Sequence, residues 1–162
     1  MGIRWLSETG LLAALIFLTG TFKLPGLVPG TEFQLSAPLA VAVCAVFGFR
    51  RYITAGVIAS IIGLALGTQN FLNVFIAMVF RLTVGGVLAL GGTSWPVVAL
   101  AGPVGSAVAR LSLAAVVGKA ATALVVAAAP GMAYTALAAW PLTVLLRKVK
   151  TATARLDDVL QR

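Results

Sequence analysis

Apolar residues run along this chain in six blocks, at about 9–22, 35–49, 53–67, 70–92, 97–117 and 121–146, separated by stretches that are charged or rich in glycine and proline. Blocks of this kind predict helices that cross a bilayer, whose hydrocarbon core of about 30 Å takes roughly 20 helical residues. The first three blocks are shorter than that. Their ends must borrow flanking residues, meet a locally thinned bilayer, or form a re-entrant element. Only GTQN separates the third block from the fourth, so a tight turn is required there. Pro130 and Gly131 should kink or break the sixth block near its outer third, Pro141 should bend it again, and Pro103 should distort the fifth. The expected fold is an all-α integral membrane protein, a compact bundle of about six transmembrane helices. Residues 1–147 form that one domain, and 148–162 extend the last helix as a basic amphipathic tail along the membrane surface.

Composition strengthens this reading. The chain has 162 residues, of which 60% are hydrophobic and 10% charged, and its mean hydropathy is +1.07. Those values exclude a soluble domain of ordinary composition. The first block lacks a cleavage pattern and should remain in the protein as a helix. One bundle uses up this length, leaving no room for a second, soluble catalytic domain. No GxxxxGK[ST] segment is present, so the chain does not by itself couple transport to ATP.

Histidine is absent and cysteine occurs once, as Cys44 within an apolar run. Disulfide frameworks, zinc sites and Cys/His nucleophile pairs are thereby excluded within one chain, and no metal or cofactor is expected. No acid pair sits at catalytic spacing either, so the chain does not read as an enzyme. The net charge of +8 does not point to nucleic acid, because the basic residues are dispersed beside apolar runs. Topology and interfacial anchoring explain them. Arg4, Arg50, Arg51, Arg147, Lys148, Lys150, Arg155 and Arg162 fall on one side of a six-span arrangement, whereas Lys23 and Lys119 fall on the other. By the positive-inside rule both termini are cytoplasmic, and the chain is a multi-pass protein of the cell membrane. The loop KLPGLVPGTEFQ is then external. Its Pro-Gly signals predict ordered turns, placed either to fold over a pocket as a lid or to serve as a plain connector.

Two arginines, Arg81 and Arg110, lie inside apolar blocks. A guanidinium in hydrocarbon costs on the order of 2.5–3.5 kcal/mol by insertion scales and normally faces a bundle interior or a wet cavity. Only four acids are available, Glu8, Glu32, Asp157 and Asp158. Three are near the termini, which leaves Glu32 as the internal candidate partner. The remaining charge calls for backbone carbonyls, lipid phosphate or an anionic ligand. Asn70 and Asn73 open the fourth block, with Arg81 three turns deeper; they either line a cavity with it or cap the helix. Arg110 sits beside Gly102, Gly105, Ser106 and Ala109, a face small enough for close helix contact. Gly10 and Ala14 form a similar small face on the first block.

The segments TGLLAALIF, GTEFQLSAPLA, AVFGFRRYITAGVIASIIGLALG, QNFLNVFIAMVFR and GPVGSAVARLSLA together resemble the S-components of energy-coupling-factor (ECF) vitamin transporters and the related tryptophan- and queuosine-precursor-transporter-like proteins. The resemblance is one of architecture and covers most of the chain. It implies a six-helix substrate-binding subunit that joins a transmembrane coupling subunit and two ATPases, with ligand held under the first external loop. On that basis Glu32, Gln34, Asn70, Asn73 and Arg81 are pocket residues, with Arg110 beside them. Gly10 and Ala14 are the docking face, Gly10 standing where the family usually has alanine. The implied substrate is a small anionic or zwitterionic metabolite of vitamin, precursor or amino-acid class, and no vitamin-specific motif narrows it. The rival reading is a non-transporting assembly subunit of a membrane complex, surrounded by lipid, in which both arginines make structural contacts.

Overall fold

The structure, a computed structural model, describes residues 2–25, 32–113 and 125–160. Helix α1 spans Ile3–Thr21, α2 Ser36–Phe47, α3 Phe49–Ala65, α4 Phe71–Gly91, α5 Trp95–Ser112 and α6 Ala129–Leu160. Two three-residue strands, β1 (Lys23–Pro25) and β2 (Glu32–Gln34), lie between α1 and α2 and pair antiparallel, Leu24 opposite Phe33. The connector thus adds a small β-ribbon to the all-helical architecture expected. A ribbon satisfies backbone groups that an irregular loop would leave open.

Helix α2 is the centre of the bundle. Every residue from Pro38 to Cys44 is buried, as expected of a helix that is apolar all round. It touches α1, α3, α4, α5 and α6, and these follow around it in that order, each against the next as far as α6. With 12 residues, α2 is about 18 Å long, well short of a full crossing. Its central position explains how so short a helix is tolerated: the other helices surround its middle from Pro38 to Cys44.

A single residue, Gly48, joins α2 to α3 by serving as C-cap of one and N-cap of the other. Its φ of 83° and ψ of 162° lie in a region open almost exclusively to glycine. The chain therefore reverses with no loop, and α3 begins at Phe49, four residues earlier than the apolar block suggests. At the other end of α3, the turn at 66–70 is closed by the Thr68 and Gln69 N–H groups donating to the Gly63 carbonyl at 3.0 and 3.1 Å. This is the tight turn that GTQN demanded.

Close approach between helices follows from glycines. A Cβ on Gly105 would lie 2.9 Å from Val84 and 3.1 Å from Phe80, and one on Gly91 would lie 2.8 Å from Val97. These contacts seat α5 tightly against α4. Gly102 opens α5 to Thr135 of α6 and to Val41 of α2. Pro103 is accommodated within a continuous α5, and Pro141 within a continuous α6. Residues 125–127 are helical and a turn at Ala128 precedes α6, so the break expected near Pro130 falls just before it. Proline is well suited to the first turn of a helix, where its missing N–H has no partner to lose. The segment 114–124, with Lys119, lies outside the described residues.

Basic residues gather at one end of the bundle, around the starts of α1 and α3 and the last turns of α6. The Arg4 and Arg51 guanidiniums both pair with Glu8, at 3.1 and 3.0 Å. Glu8 is thus an ion-pair partner rather than an acid simply facing water. Two cations of α6 reach carbonyls at the ends of other elements: Lys150 Nζ donates to Val46 O at 2.8 Å and Arg147 to Thr93 O at 3.1 Å. They also lie over the rings of Phe47 and Trp140, respectively. α6 continues helically through the 148–160 segment.

Large apolar side chains point outward from most helices: Ile3, Phe71, Leu90 and Leu137 are each more than three-quarters exposed. A chain in water would not carry so much outward apolar surface. Three helices, Ile3–Thr21, Phe71–Gly91 and Ala129–Leu156, are long and apolar enough to cross a membrane. The protein is a helical membrane protein.

Candidate functional site

A cavity of about 360 Å³ lies in the half of the bundle nearer the β-ribbon. Helices α1 to α6 all line it: Phe17 and Gly20 from α1, Ala40 from α2, Tyr52 and Ala59 from α3, Asn73, Ala77 and Arg81 from α4, Ser106 and Arg110 from α5, and Thr135 from α6. Gln69 and Thr68 of the α3–α4 turn complete the rim. Small and apolar residues, alanine above all, make up just over half of the wall, and the polar groups among them decide what it can hold.

Arg81 is buried, with 6% of its surface exposed. Its Nη1 donates to Ser60 Oγ at 2.8 Å and lies 3.4 Å from Met78 Sδ. The side chain rests flat on the backbone of α3 at Gly56, where an added Cβ would come within 2.7 Å of Arg81 Cδ and 2.9 Å of Cζ. Gly56 and Ser60 are one helical turn apart and form a seat for the guanidinium, glycine giving the space and serine the acceptor. No carboxylate pairs with Arg81 among the described residues.

Arg110 is half-buried and bonds through Nη1 to both Ser106 Oγ and Ser106 O, one turn back on its own helix. It too lacks a carboxylate partner among the described residues. An arginine has five N–H donors and keeps its charge in any protein environment. Each guanidinium therefore has donors left for something in the cavity.

Two further polar atoms at the cavity lack partners. Tyr52 Oη and Gln69 Oε1 are buried with no hydrogen bond. Leaving a buried polar group unmade costs about 1–3 kcal/mol, so such groups normally mark a bound water, ion or ligand. The hydroxyl of Thr135, by contrast, is committed to Gly131 O at 2.8 Å.

The sequence-predicted residues separate into groups. Asn73, Arg81 and Arg110 meet at the cavity. Asn70 does not line it: its side chain accepts the Asn73 N–H at 2.8 Å and caps α4. Glu32 and Gln34 pair through β2 with Pro25 and Lys23; their side chains lie outside the described residues. Gly10 and Ala14 are exposed on the outer face of α1, and no atom approaches within 4 Å of a Cβ added to Gly10.

Tyr52, Ser60 and Ser106 were not singled out as site residues from sequence. The i, i+4 spacing of Ser106 and Arg110 is a usable signal, since such residues share a helix face. Nothing local marks Ser60, which lies 21 residues from Arg81, or Tyr52.

No protein-family model matches this chain, and no solved structure matches it. Among curated proteins it is similar to Protein BioX of Lysinibacillus sphaericus, 58% identical over 106 residues. That alignment takes in 65% of this chain and 64% of the relative, so the chain spans just under two thirds of the relative's length.

Proposed function

We propose that this protein is the substrate-binding membrane subunit of an ECF-type transporter, capturing a small carboxylate-bearing metabolite for import. One observation carries the reading: a cavity lined by α1 to α6 holds two guanidiniums with no acid in its wall among the described residues. A buried charge without a counter-charge is expensive, and an anionic ligand would supply what the fold omits. The unpartnered Tyr52 and Gln69 oxygens point the same way, to a site completed by an occupant.

In this reading the bundle spans the cell membrane, with the basic end and both termini in the cytoplasm. The cavity then sits in the outer half beneath the β-ribbon, which serves as its lid. The exposed Gly10 and Ala14 face of α1 docks a transmembrane coupling subunit, which joins ATPase subunits. The protein binds and occludes its substrate and carries out no bond chemistry.

The alternative, a non-transporting assembly subunit, draws on the serine contacts that each arginine already makes. It predicts stable co-purification with a membrane complex and no saturable ligand. Equilibrium binding of a metabolite panel including biotin to purified wild type, Arg81→Ala and Arg110→Ala separates the two. Saturable binding that weakens at least tenfold in Arg81→Ala supports capture; identical binding in wild type and both variants refutes the roles assigned to the arginines.

A further inference from the structure

The basic end of the bundle holds a second concave feature, an open groove between the end of α2, the connection after α4 and the later turns of α6. Val46, Thr93, Arg147 and Lys150 line it, with Ala45 and Ala154 as apolar neighbours. Arg147 and Lys150 are three residues apart and so share one face of α6. Each is held at two points. Lys150 Nζ donates to Val46 O at 2.8 Å and lies 5.2 Å from the centre of the Phe47 ring. Arg147 Nη2 donates to Thr93 O at 3.1 Å, with its Cζ 5.6 Å from the centre of the Trp140 ring. Long cationic side chains lose much rotamer freedom when they are ordered, and here the protein itself has already ordered both.

These tethers leave most of the donors unused. An ammonium has three and a guanidinium five, and each cation gives one to its carbonyl. Neither meets a carboxylate among the described residues, and no acid among them lines the groove. The groove also lies at the depth where a bilayer presents its headgroups. The candidate span Phe71–Gly91 ends just before Thr93. Just beyond is Trp95, 59% exposed, and exposed tryptophan at the end of a span is the usual mark of the membrane–water interface.

We infer that this groove binds the phosphate headgroup of an anionic membrane phospholipid. The phosphate oxygens accept the remaining N–H groups of Arg147 and Lys150, charge-assisted bonds of the strong kind. A zwitterionic headgroup would bring an ammonium of its own toward two cations with no acid to receive it, so the groove prefers a lipid of net negative charge. The bound headgroup adds to the contacts that already join α6 to α2 and to the connection after α4, and it stabilises the folded bundle by mass action. The groove shares no residue with the cavity of Arg81 and Arg110, so this inference stands apart from substrate capture.

The test uses the whole purified, delipidated protein in detergent and follows its thermal midpoint as phosphatidylglycerol, phosphatidylcholine, inorganic phosphate or polyglutamate is added. Phosphatidylglycerol should raise the midpoint by about 5 °C or more at saturation, and the other three should do so by less than half as much. Arg147→Gln and Lys150→Gln should each lose at least half of that shift. Lys148→Gln removes the same charge from the neighbouring exposed position and should keep it. Because the first two variants also give up a carbonyl contact, Ala154→Leu serves as the second probe: it leaves both cations in place, fills the groove, and should lose the shift while its lipid-free midpoint stays near that of wild type. A Lys148→Gln variant as impaired as Lys150→Gln would overturn the site, showing diffuse attraction to a basic surface. Equal shifts with phosphatidylcholine would overturn the selection of an anionic headgroup. Equal shifts with inorganic phosphate or polyglutamate would overturn the lipid as occupant, in favour of a free anion or an acidic protein segment. No shift with phosphatidylglycerol in the wild type, or a full shift in Ala154→Leu, would overturn the inference outright, and neither result bears on ligand binding at Arg81.

Discussion

Gly56 offers a sharp test of how Arg81 is held, because the space it leaves has a calculable use. Replacing it by alanine introduces a Cβ that would sit 2.7 Å from Arg81 Cδ and 2.9 Å from Cζ, closer than real Cβ contacts permit. Alanine in a helix interior is favoured over glycine by about 1 kcal/mol, and overpacking a filled site costs typically 1–3 kcal/mol. Gly86 supplies the control: it is interior to α4, exposed, and no atom lies within 4 Å of a Cβ added there. Both substitutions share the propensity gain, so the difference between them isolates the steric cost at about 1–3 kcal/mol. For a chain of this size that is roughly 2–12 °C in thermal midpoint. Thermal unfolding of Gly56→Ala and Gly86→Ala in the same detergent measures it. Gly56→Ala should also weaken ligand binding about tenfold or more, since the guanidinium must leave Ser60 to escape the new methyl group. If Gly56→Ala matched Gly86→Ala in both midpoint and affinity, Arg81 would not lie on α3 as described.

Two further substitutions probe the frame around the site. Gly48→Ala forces a side chain into a backbone conformation costing of order 1–3 kcal/mol, and its thermal midpoint should fall by several degrees; an unchanged midpoint would argue against the one-residue reversal between α2 and α3. Glu8→Gln removes the shared partner of Arg4 and Arg51 at a partly exposed position, where ion pairs contribute about 0–1 kcal/mol. Its cost should shrink in high salt and ligand affinity should not change, so a large loss of affinity on titration would connect that end of the bundle to the cavity.

Arg81 and Arg110 were legible in the sequence because a charge within an apolar run is anomalous without any knowledge of the fold. The existence of six helices was legible for the related reason that each apolar block marks one, although several boundaries moved, that of α3 by four residues. Their partners were not. Ser60 supports Arg81 only because α3 and α4 pack with Gly56 between them, and that register is a tertiary fact with no local signature. Tyr52 is similar: nothing in its neighbourhood beside two arginines marks it as a site residue, yet the reversal at Gly48 turns it fully inward, at 0% exposure. Asn70 shows the opposite error. Its position before an apolar helix is compatible with lining a cavity or with capping, and the backbone requirement for an acceptor decided in favour of the cap.

Arg147 and Lys150 have a consequence for how the protein is made. Lys150 reaches the last turn of α2 and Arg147 the connection after α4, so carbonyls made early in synthesis wait for donors supplied by the final helix. Until α6 arrives, the Val46 carbonyl at the end of α2 and the Thr93 carbonyl beyond α4 lack these donors. The two cations thus act as clasps that tie α6 to segments made well before it.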